Sequence, residues 1–450
     1  MKSSLTDKVR QLWWRGREGK CLLRSISKAK RFQRNGDDAE MRRVLTAADF
    51  AVEAIQRDEL SFAKHWQTLL RFQLAVFDLR GAESTVRRAK APVMNEVMEI
   101  VTQTAVWGSA LDAARASMRE GWEPPSSKDR LLIFLPSTAM GLETTQQPGL
   151  RTGLRIIFGE ILATCLAEGI PIEVRGRLAN HGTPPDETGR RYISHHTRSH
   201  KDGGLHIKVT DLPGCFSIDE RGYSGWSQFS QTPLEELNLA EVDLETAEKF
   251  VSAMRQRIIG GNVSKYQQTA TDTKIHLPET YVFLALQVID DAVQALAHRS
   301  MLEMLAEVAE TCRKRNLALV VKRHPRCNSS KVTKALAEGK FQLSEASIHD
   351  LISRSCAVCV VNSSVGAEAL LHGKPVYVFG EAEYQHVCFR MRAKGDFEKH
   401  FKPHEMPVSS DVLTRFIYSL RTTYAVDAGD PIAAREAIRS RVIKFSEHGE

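Results

Sequence analysis

Aromatic residues make up only 7% of this 450-residue chain. No apolar run approaches the roughly 18–20 residues that cross a bilayer, so a spanning helix is not expected. The opening MKSSLTDKVRQLWWRGREGK is too polar for a secretory signal, which leads to the expectation of a cytoplasmic protein. Cysteine is sparse and scattered, at 21, 165, 215, 312, 327, 356, 359 and 388, as in proteins that keep their thiols reduced. The one CxxC pair, Cys356 and Cys359, lies in the apolar run CAVCVV. Residues three apart on a strand point to opposite faces, and no second pair has matching spacing, so both are expected in the core. No Asp-x-Asp metal motif is present, and no nucleic-acid reading motif accompanies the charge. Metal and nucleic acid are therefore not expected partners.

What is present is an ordinary soluble composition, 42% apolar and 26% charged, with a net charge of +7 that favours an anionic partner. Much of the excess lies in Lys2–Arg34, with eleven Lys/Arg against two acids and Trp13, Trp14, Leu22, Leu23, Ile26 and Phe32 interleaved. Such a helix can lie on a membrane surface or dock on a neighbouring helix.

Residues 1–125 read as a helical extension. Ala47, Phe50, Ala51, Ala54 and Ile55 follow 3.6-residue spacing, as do Trp66, Leu69, Leu70, Leu74 and Phe77. These suit tetratricopeptide-like hairpins or a helical cap. Pro124-Pro125-Ser126-Ser127 is a linker. A strand at Leu131–Leu135, a helix at Leu154–Glu168 and a strand at Ile170–Arg175 then form a parallel βαβ unit in a domain spanning 126–272. Residues 180–204 read as a long loop rich in His, Gly and Pro, including the cluster His195, His196 and His200. A second domain, 273–425, repeats the logic. Its strands are Tyr281–Leu286, Leu317–Val321, Ala357–Val361 and Val376–Phe379, with helices at 292–315 and Gly366–His372. A last helix occupies 426–450. The expected fold is α/β, with two Rossmann-like domains facing across a cleft, the arrangement called GT-B in glycosyltransferases.

In open parallel sheets ligands bind at the carboxyl ends of strands. One such end carries Lys322-Arg323-His324-Pro325, three cations or donors with a proline that stiffens the turn. The next carries Asn362-Ser363-Ser364-Val365-Gly366, where small residues bring backbone N–H groups at a helix start toward an anion. Glu368 lies just inside that helix, and Gly373-Lys374-Pro375 closes it. Leu286-Gln287-Val288-Ile289-Asp290-Asp291 ends the first strand, with Asp291 also a candidate N-cap. These motifs resemble the donor domain of bacterial capsule polysaccharide biosynthesis proteins, a family that includes β-Kdo transferases using CMP-Kdo. The resemblance implies that His324, Pro325, Ser363 and Ser364 face a nucleotide phosphate, with Lys322 and Gly366 beside them. It places Glu368 at the ribose and Gln287 at the donor or acceptor.

Earlier in the chain, Asp219-Glu220-Arg221-Gly222-Tyr223-Ser224-Gly225-Trp226 resembles the D-x-x-G-Y-S-G-W segment of the retaining β-Kdo transferases, and Ser264-Lys265-Tyr266 resembles another short family motif. The resemblance covers roughly 130–400. It implies retention by double displacement, with Asp219 as nucleophile. Asp219 read by itself is also a turn residue capping a glycine loop. Glu143 is the candidate second acid, ahead of Glu160, which sits mid-helix. Tyr223 and Trp226 offer a sugar-stacking wall, and Lys208, Arg221 and Arg323 are candidate partners for the sugar's carboxylate.

The expected activity is transfer of Kdo, or a similar acidic sugar, from a CMP donor to a glycan or glycolipid acceptor, without metal or other cofactor. Two alternatives stand. One is an inverting GT-B enzyme using CMP-sialic acid or a UDP-sugar, with Asp219 as base. The other is a non-catalytic protein of capsule assembly.

Overall fold

The computed structural model describes residues 130–136, 138–139, 147, 149–177, 190–198, 203–269 and 276–447, with isolated positions at 27–29, 31 and 44. The expected helical extension, the basic segment, Glu143 and His200 lie outside the described residues. The described chain is mixed α/β with parallel strands, as its sequence pattern leads one to expect. It divides into two compact units.

The first unit takes the described residues of 1–145, 154–195 and 442–450. Strand β1 (Leu131–Pro136) is buried at every position and pairs in parallel with β2 (Ile172–Arg177) and β3 (Tyr192–His195). Helix α1 (Leu150–Ala167) connects β1 to β2, giving the expected βαβ unit. Strand β3 corrects the reading of 180–204 as a continuous loop. Ile193 and Ser194 are fully buried, and four residues are too few for alternation to announce itself.

The second unit, 146–153 with 196–441, contains β4 (Gly204–Val209) and β5 (Cys215–Asp219), an antiparallel pair extended by β12 (Ala425–Asp427). Helices α2 (Gln228–Gln231) and α3 (Leu244–Arg255) follow β5. A six-stranded parallel sheet comes next, with β6 (Tyr281–Ala285), β7 (Ala318–Lys322), β8 (Gln342–Leu343), β9 (Ala357–Val360), β10 (Val376–Val378) and β11 (Phe389–Arg390). Their spatial order is β11-β10-β9-β6-β7-β8. Successive strands build outward from β6 to β8, then return beside β6 at β9 and build the other way. The β6/β9 junction is therefore the topological switch point, the place where such sheets bind ligands.

Alternation on these strands separates two apolar layers. Tyr281, Phe283, Val320, Val358, Val360 and Val376 pack with α3, α6 (Ile348–Arg354), α7 (Val365–Leu371) and α9 (Ser410–Ser419). Val282, Leu284, Val321, Cys359 and Tyr377 pack with α4 (Met301–Lys314), α5 (Ser330–Glu338) and α8 (Asp396–His400). Cys356 and Cys359 are both buried, but in the same layer. Cys356 precedes β9, so the opposite-face rule does not reach it. The expected single helix over 292–315 is broken. A 3-10 turn over Ala292–Leu296 ends where Ala297 bridges Gly380, and Ser300 starts α4 with a capping box to Glu303. Reciprocal caps of this kind satisfy donors that would otherwise be lost, at about 1 kcal/mol each. The last helix, α10 (Pro431–Glu447), lies within the expected 426–450.

Candidate active site

At the switch point, Gln287 and Asn362 lock the ends of β6 and β9 together. The Gln287 carboxamide nitrogen donates to Asn362 Oδ1 at 2.9 Å, and Gln287 Oε1 accepts the Asn362 backbone N–H at 3.1 Å. Asn362 Nδ2 donates to the Val293 carbonyl at 2.8 Å. Both amides are buried, so each bond replaces one that water no longer supplies. Gln287 thereby fixes the start of the serine motif.

One strand over, beyond β7, His324 Nδ1 accepts the Arg326 N–H at 3.1 Å. A neutral ring that accepts at Nδ1 carries its proton at Nε2, so the outer edge of His324 is a donor. Burial, then the nearby Arg326, push its pKa down to about 4, with Asp291 opposing and Lys265 adding to the fall. Tyr266 meets the imidazole edge-on at 5.1 Å. Pro325 is exposed in the turn after His324. The Lys322 ammonium turns to the backbone, donating to the carbonyls of Glu345, at 3.3 Å, and Ala346.

Helix α7 follows Ser363 and Ser364. Ser363 Oγ accepts the Val365 N–H at 3.3 Å and the Ser363 carbonyl accepts the Gly366 N–H at 2.9 Å. Tyr384 donates its hydroxyl to the same carbonyl. A Cβ on Gly366 would fall 2.4 Å from the Tyr384 ring, so this glycine lets α7 press against a buried tyrosine. Glu368 is 1% exposed; its Oε1 accepts the Ser264 hydroxyl at 2.6 Å and its Oε2 has no hydrogen-bond partner. Burial drives this carboxyl up to about 8, with the Ser264 bond opposing.

On the antiparallel strands, Asp219 stands opposite His206, so Lys208, two residues along β4, shares its face. Asp219 Oδ1 accepts N–H bonds from Arg221 (2.9 Å), Gly222 (3.1 Å) and Gln228 (3.0 Å), and Oδ2 lies 2.9 Å from the Gln228 nitrogen. The carboxylate thus clamps the 219–228 loop. Burial raises its pKa, and these N–H groups oppose the rise. Ser224 in that loop holds a left-handed φ of 54°. Gly225 packs on the next loop, where a Cβ would come within 2.5 Å of Glu381. Gln385 reaches back to the Ser230 carbonyl at 3.0 Å. These contacts fasten the loop to the loop that follows β10.

Lys208 Nζ lies 2.7 Å from His196 Nε2 and 5.3 Å from the Tyr223 ring centre. Burial holds its pKa well below the usual lysine value; Lys265 and Arg326 add to this, and Asp291 opposes. Tyr223 is buried and meets Trp226 edge-on at 5.3 Å. The Arg198 guanidinium covers one face of Trp226 at 3.8 Å. The Arg221 side chain is exposed. Asp291 caps the 3-10 turn, accepting the Val293 N–H at 3.3 Å, while remaining within electrostatic range of His324 and Lys208. Among the described residues, no group of three His, Cys, Asp or Glu side chains is placed to hold a metal ion.

Residues 243–412 match the family model described as capsule polysaccharide biosynthesis protein. The match spans 170 of the 450 residues. No curated protein sequence matches the chain. Among solved structures, the chain is similar to Thermosulfurimonas dismutans KpsC, beta Kdo 2,7 transferase, with 18% identity over 69% of this chain and 99% of that one, at a TM-score of 0.38. The beta Kdo 2,4 transferase of the same organism gives 16% identity over 70% and 99%, at 0.41. A Methanocaldococcus jannaschii UDP-GlcNAc 2-epimerase gives 11% over 65% and 99%, at 0.27.

The matched segment contains Gln287, Lys322, His324, Pro325, Ser363, Ser364, Gly366 and Glu368; Lys208, Asp219, Arg221, Tyr223 and Trp226 precede it. Two residues not expected as site members join them. Lys265 is half-buried and lies within electrostatic range of Lys208, His324 and Glu368. Glu383 bonds to Ser224, and burial raises its carboxyl. The Ser264-Lys265-Tyr266 motif signalled the first; nothing in the sequence signalled the second.

Proposed function

We propose that this chain is a glycosyltransferase of capsule or surface polysaccharide synthesis, moving Kdo or a closely similar acidic sugar from a CMP donor to a glycan or glycolipid. The observation that carries this reading is the cluster at the switch point. Gln287, His324 and Asn362-Ser363-Ser364 follow three adjacent parallel strands, inside the segment that matches the capsule family. The motif resemblance supplies the nucleotide and the sugar.

In this reading, His324 donates its Nε2–H to the CMP phosphate and Ser363 and Ser364 add hydroxyls, while Lys322, its ammonium tied to the Glu345 and Ala346 carbonyls, contributes charge only at longer range. Pro325 and Gly366 shape the two strand ends, and Glu368 takes the ribose. Preorganised donors at the leaving group supply the charge stabilisation, and no cofactor is assigned. Asp219 Oδ2 attacks the anomeric carbon opposite the phosphate, and CMP leaves with the bonding pair. The acceptor hydroxyl then displaces Asp219, giving its proton to a second carboxylate, for which Glu143 is the candidate. Tyr223, Trp226, Lys208, Arg221 and Gln287 are assigned to the sugars. The Lys2–Arg34 segment is assigned to an anionic membrane surface on the cytoplasmic side.

The hydrogen bonds at Asp219 favour a second reading, in which this carboxylate is not the nucleophile and the reaction inverts with CMP-sialic acid or a UDP-sugar as donor. A donor screen separates the readings. CMP release from CMP-Kdo in the presence of acceptor, exceeding that from CMP-sialic acid and UDP-sugars, supports the first. Turnover of another nucleotide sugar with CMP-Kdo inert overturns it.

A further inference from the structure

The sugar's carboxylate needs a cation, and of the three expected ones Arg323 is engaged with the backbone. Arg221 is exposed, and Arg323 donates to the Ser329 carbonyl at 3.4 Å. Lys208 faces the site but is shared with His196. A fourth cation, Lys265, lies within electrostatic range of Lys208 and His324. Lys265 is half-buried, and its ammonium has no hydrogen bond or ion pair among the described residues.

Its chain neighbours fix where it sits. Ser264 donates to Glu368 Oε1 at 2.6 Å, and Tyr266 packs on the His324 ring at 5.1 Å. Gln147 donates to the Tyr266 hydroxyl at 3.2 Å. Lys265 is thereby held between the two donor motifs, and it acts electrostatically on Lys208, His324, Glu368 and Glu383. Asp291 is the acid that opposes Lys208, Lys265 and Arg326 around His324. Burial raises Glu368 and Glu383 toward their neutral forms, so they offset the cations less than two free carboxylates would. Lys265 lies within electrostatic range of both Lys208 and His324, and two lysine cations repel each other until an anion lies between them. A phosphate on the His324 edge leaves that place for a second anion attached nearby.

We infer that Lys265, with Lys208 beside it, binds the carboxylate on the anomeric carbon of the donor sugar and so selects an acidic sugar over a neutral one. This inference rests on the proposed CMP-donor reading. The phosphate and carboxylate of such a donor are held on one carbon, which matches adjacent anion positions at His324 and Lys265.

The test is calorimetric titration of the full chain with CMP and with freshly generated CMP-Kdo. Wild type is expected to bind CMP-Kdo at least about tenfold more tightly than CMP, an increment of about 1.4 kcal/mol. Lys265→Met should abolish that increment, read as the ratio of CMP-Kdo to CMP affinity within each variant, and Lys265→Arg should restore part of it. Melting curves confirm that each variant is folded, with Lys265→Gln replacing any that is not. An increment that survives in Lys265→Met overturns the inference. So does wild type binding CMP and CMP-Kdo equally, which leaves the CMP site standing. Failure to bind CMP at all overturns the donor reading and the inference with it.

Discussion

Replacing Asp219 separates its two roles. In Asp219→Ala the N–H groups of Arg221, Gly222 and Gln228 lose their acceptor inside a buried loop. Each stranded N–H costs about 1–3 kcal/mol before relaxation, so a total of roughly 3–5 kcal/mol follows after water and loop movement recover part. For a unit of this size that lowers the melting midpoint by about 10 °C. Asp219→Asn keeps an oxygen for Arg221 and Gly222 but sets an N–H₂ against the Gln228 N–H, which costs about 1–3 kcal/mol. A carboxamide cannot form the glycosyl ester, so transfer should fall by roughly a thousandfold or more while the protein stays folded. Calorimetric melting and CMP-release rates on the same samples read both effects. An Asn variant that melts normally and retains transfer within about tenfold refutes the nucleophile. An Ala variant as stable as wild type refutes the clamp.

Gly366→Ala should destabilise by about 1–3 kcal/mol through overpacking on Tyr384. Adding Tyr384→Ala should make the pair less than additive in denaturant unfolding; strict additivity would show that the ring is not the obstacle. Burial raises the folded Glu368 carboxyl to about 8, above its ordinary 4.5. Its contribution to stability is therefore intact below pH 4.5 and lost as pH rises toward 8. Glu368→Gln keeps an acceptor for Ser264 and should be more stable than wild type at pH 7.5, with the gap closing by pH 4.5; a less stable variant contradicts this. His349 Nε2 donates to the Val263 carbonyl at 2.8 Å, and its Nδ1 lies 3.0 Å from His372 Nε2, where a neutral His349 accepts from His372. Burial lowers both pKa values, His372 to about 4; Lys374 and Arg255 add to the fall at His372, and Asp350 opposes it at His349. Folded pKa values below the unfolded 6.5 mean stability is full above pH 6.5 and lost between 6.5 and about 4. Urea titrations over that range check it, and His372→Gln should flatten the profile; an unchanged profile would exclude the pair as its source.

The parallel sheet was legible because β6, β7, β9 and β10 are short apolar runs bounded by polar, glycine or proline residues. The break before α4 was legible in retrospect, since Ser300-Met301-Leu302-Glu303 carries the capping-box pattern inside an otherwise helical stretch. The strand-end residues of the site could be named from sequence, but not what each one touches. Gln287 and Asn362 are 75 residues apart and meet only because the chain returns to place β9 beside β6. Gly366 reads as an opening toward an anion, yet its missing side chain makes room for Tyr384, which arrives from another strand end. Arg198 on Trp226 and Ser224 at Glu383 are likewise products of loop packing, which follows no period in the sequence.

This chain is proposed to move an acidic sugar from a CMP donor with retention. NMR of the product formed from CMP-Kdo and a capsule glycan or glycolipid acceptor tests it most directly. A β-linked Kdo residue, formed with one CMP released per linkage, is the expected result. An α-linked product contradicts retention, and no sugar transfer from CMP-Kdo to any such acceptor contradicts the claim as a whole.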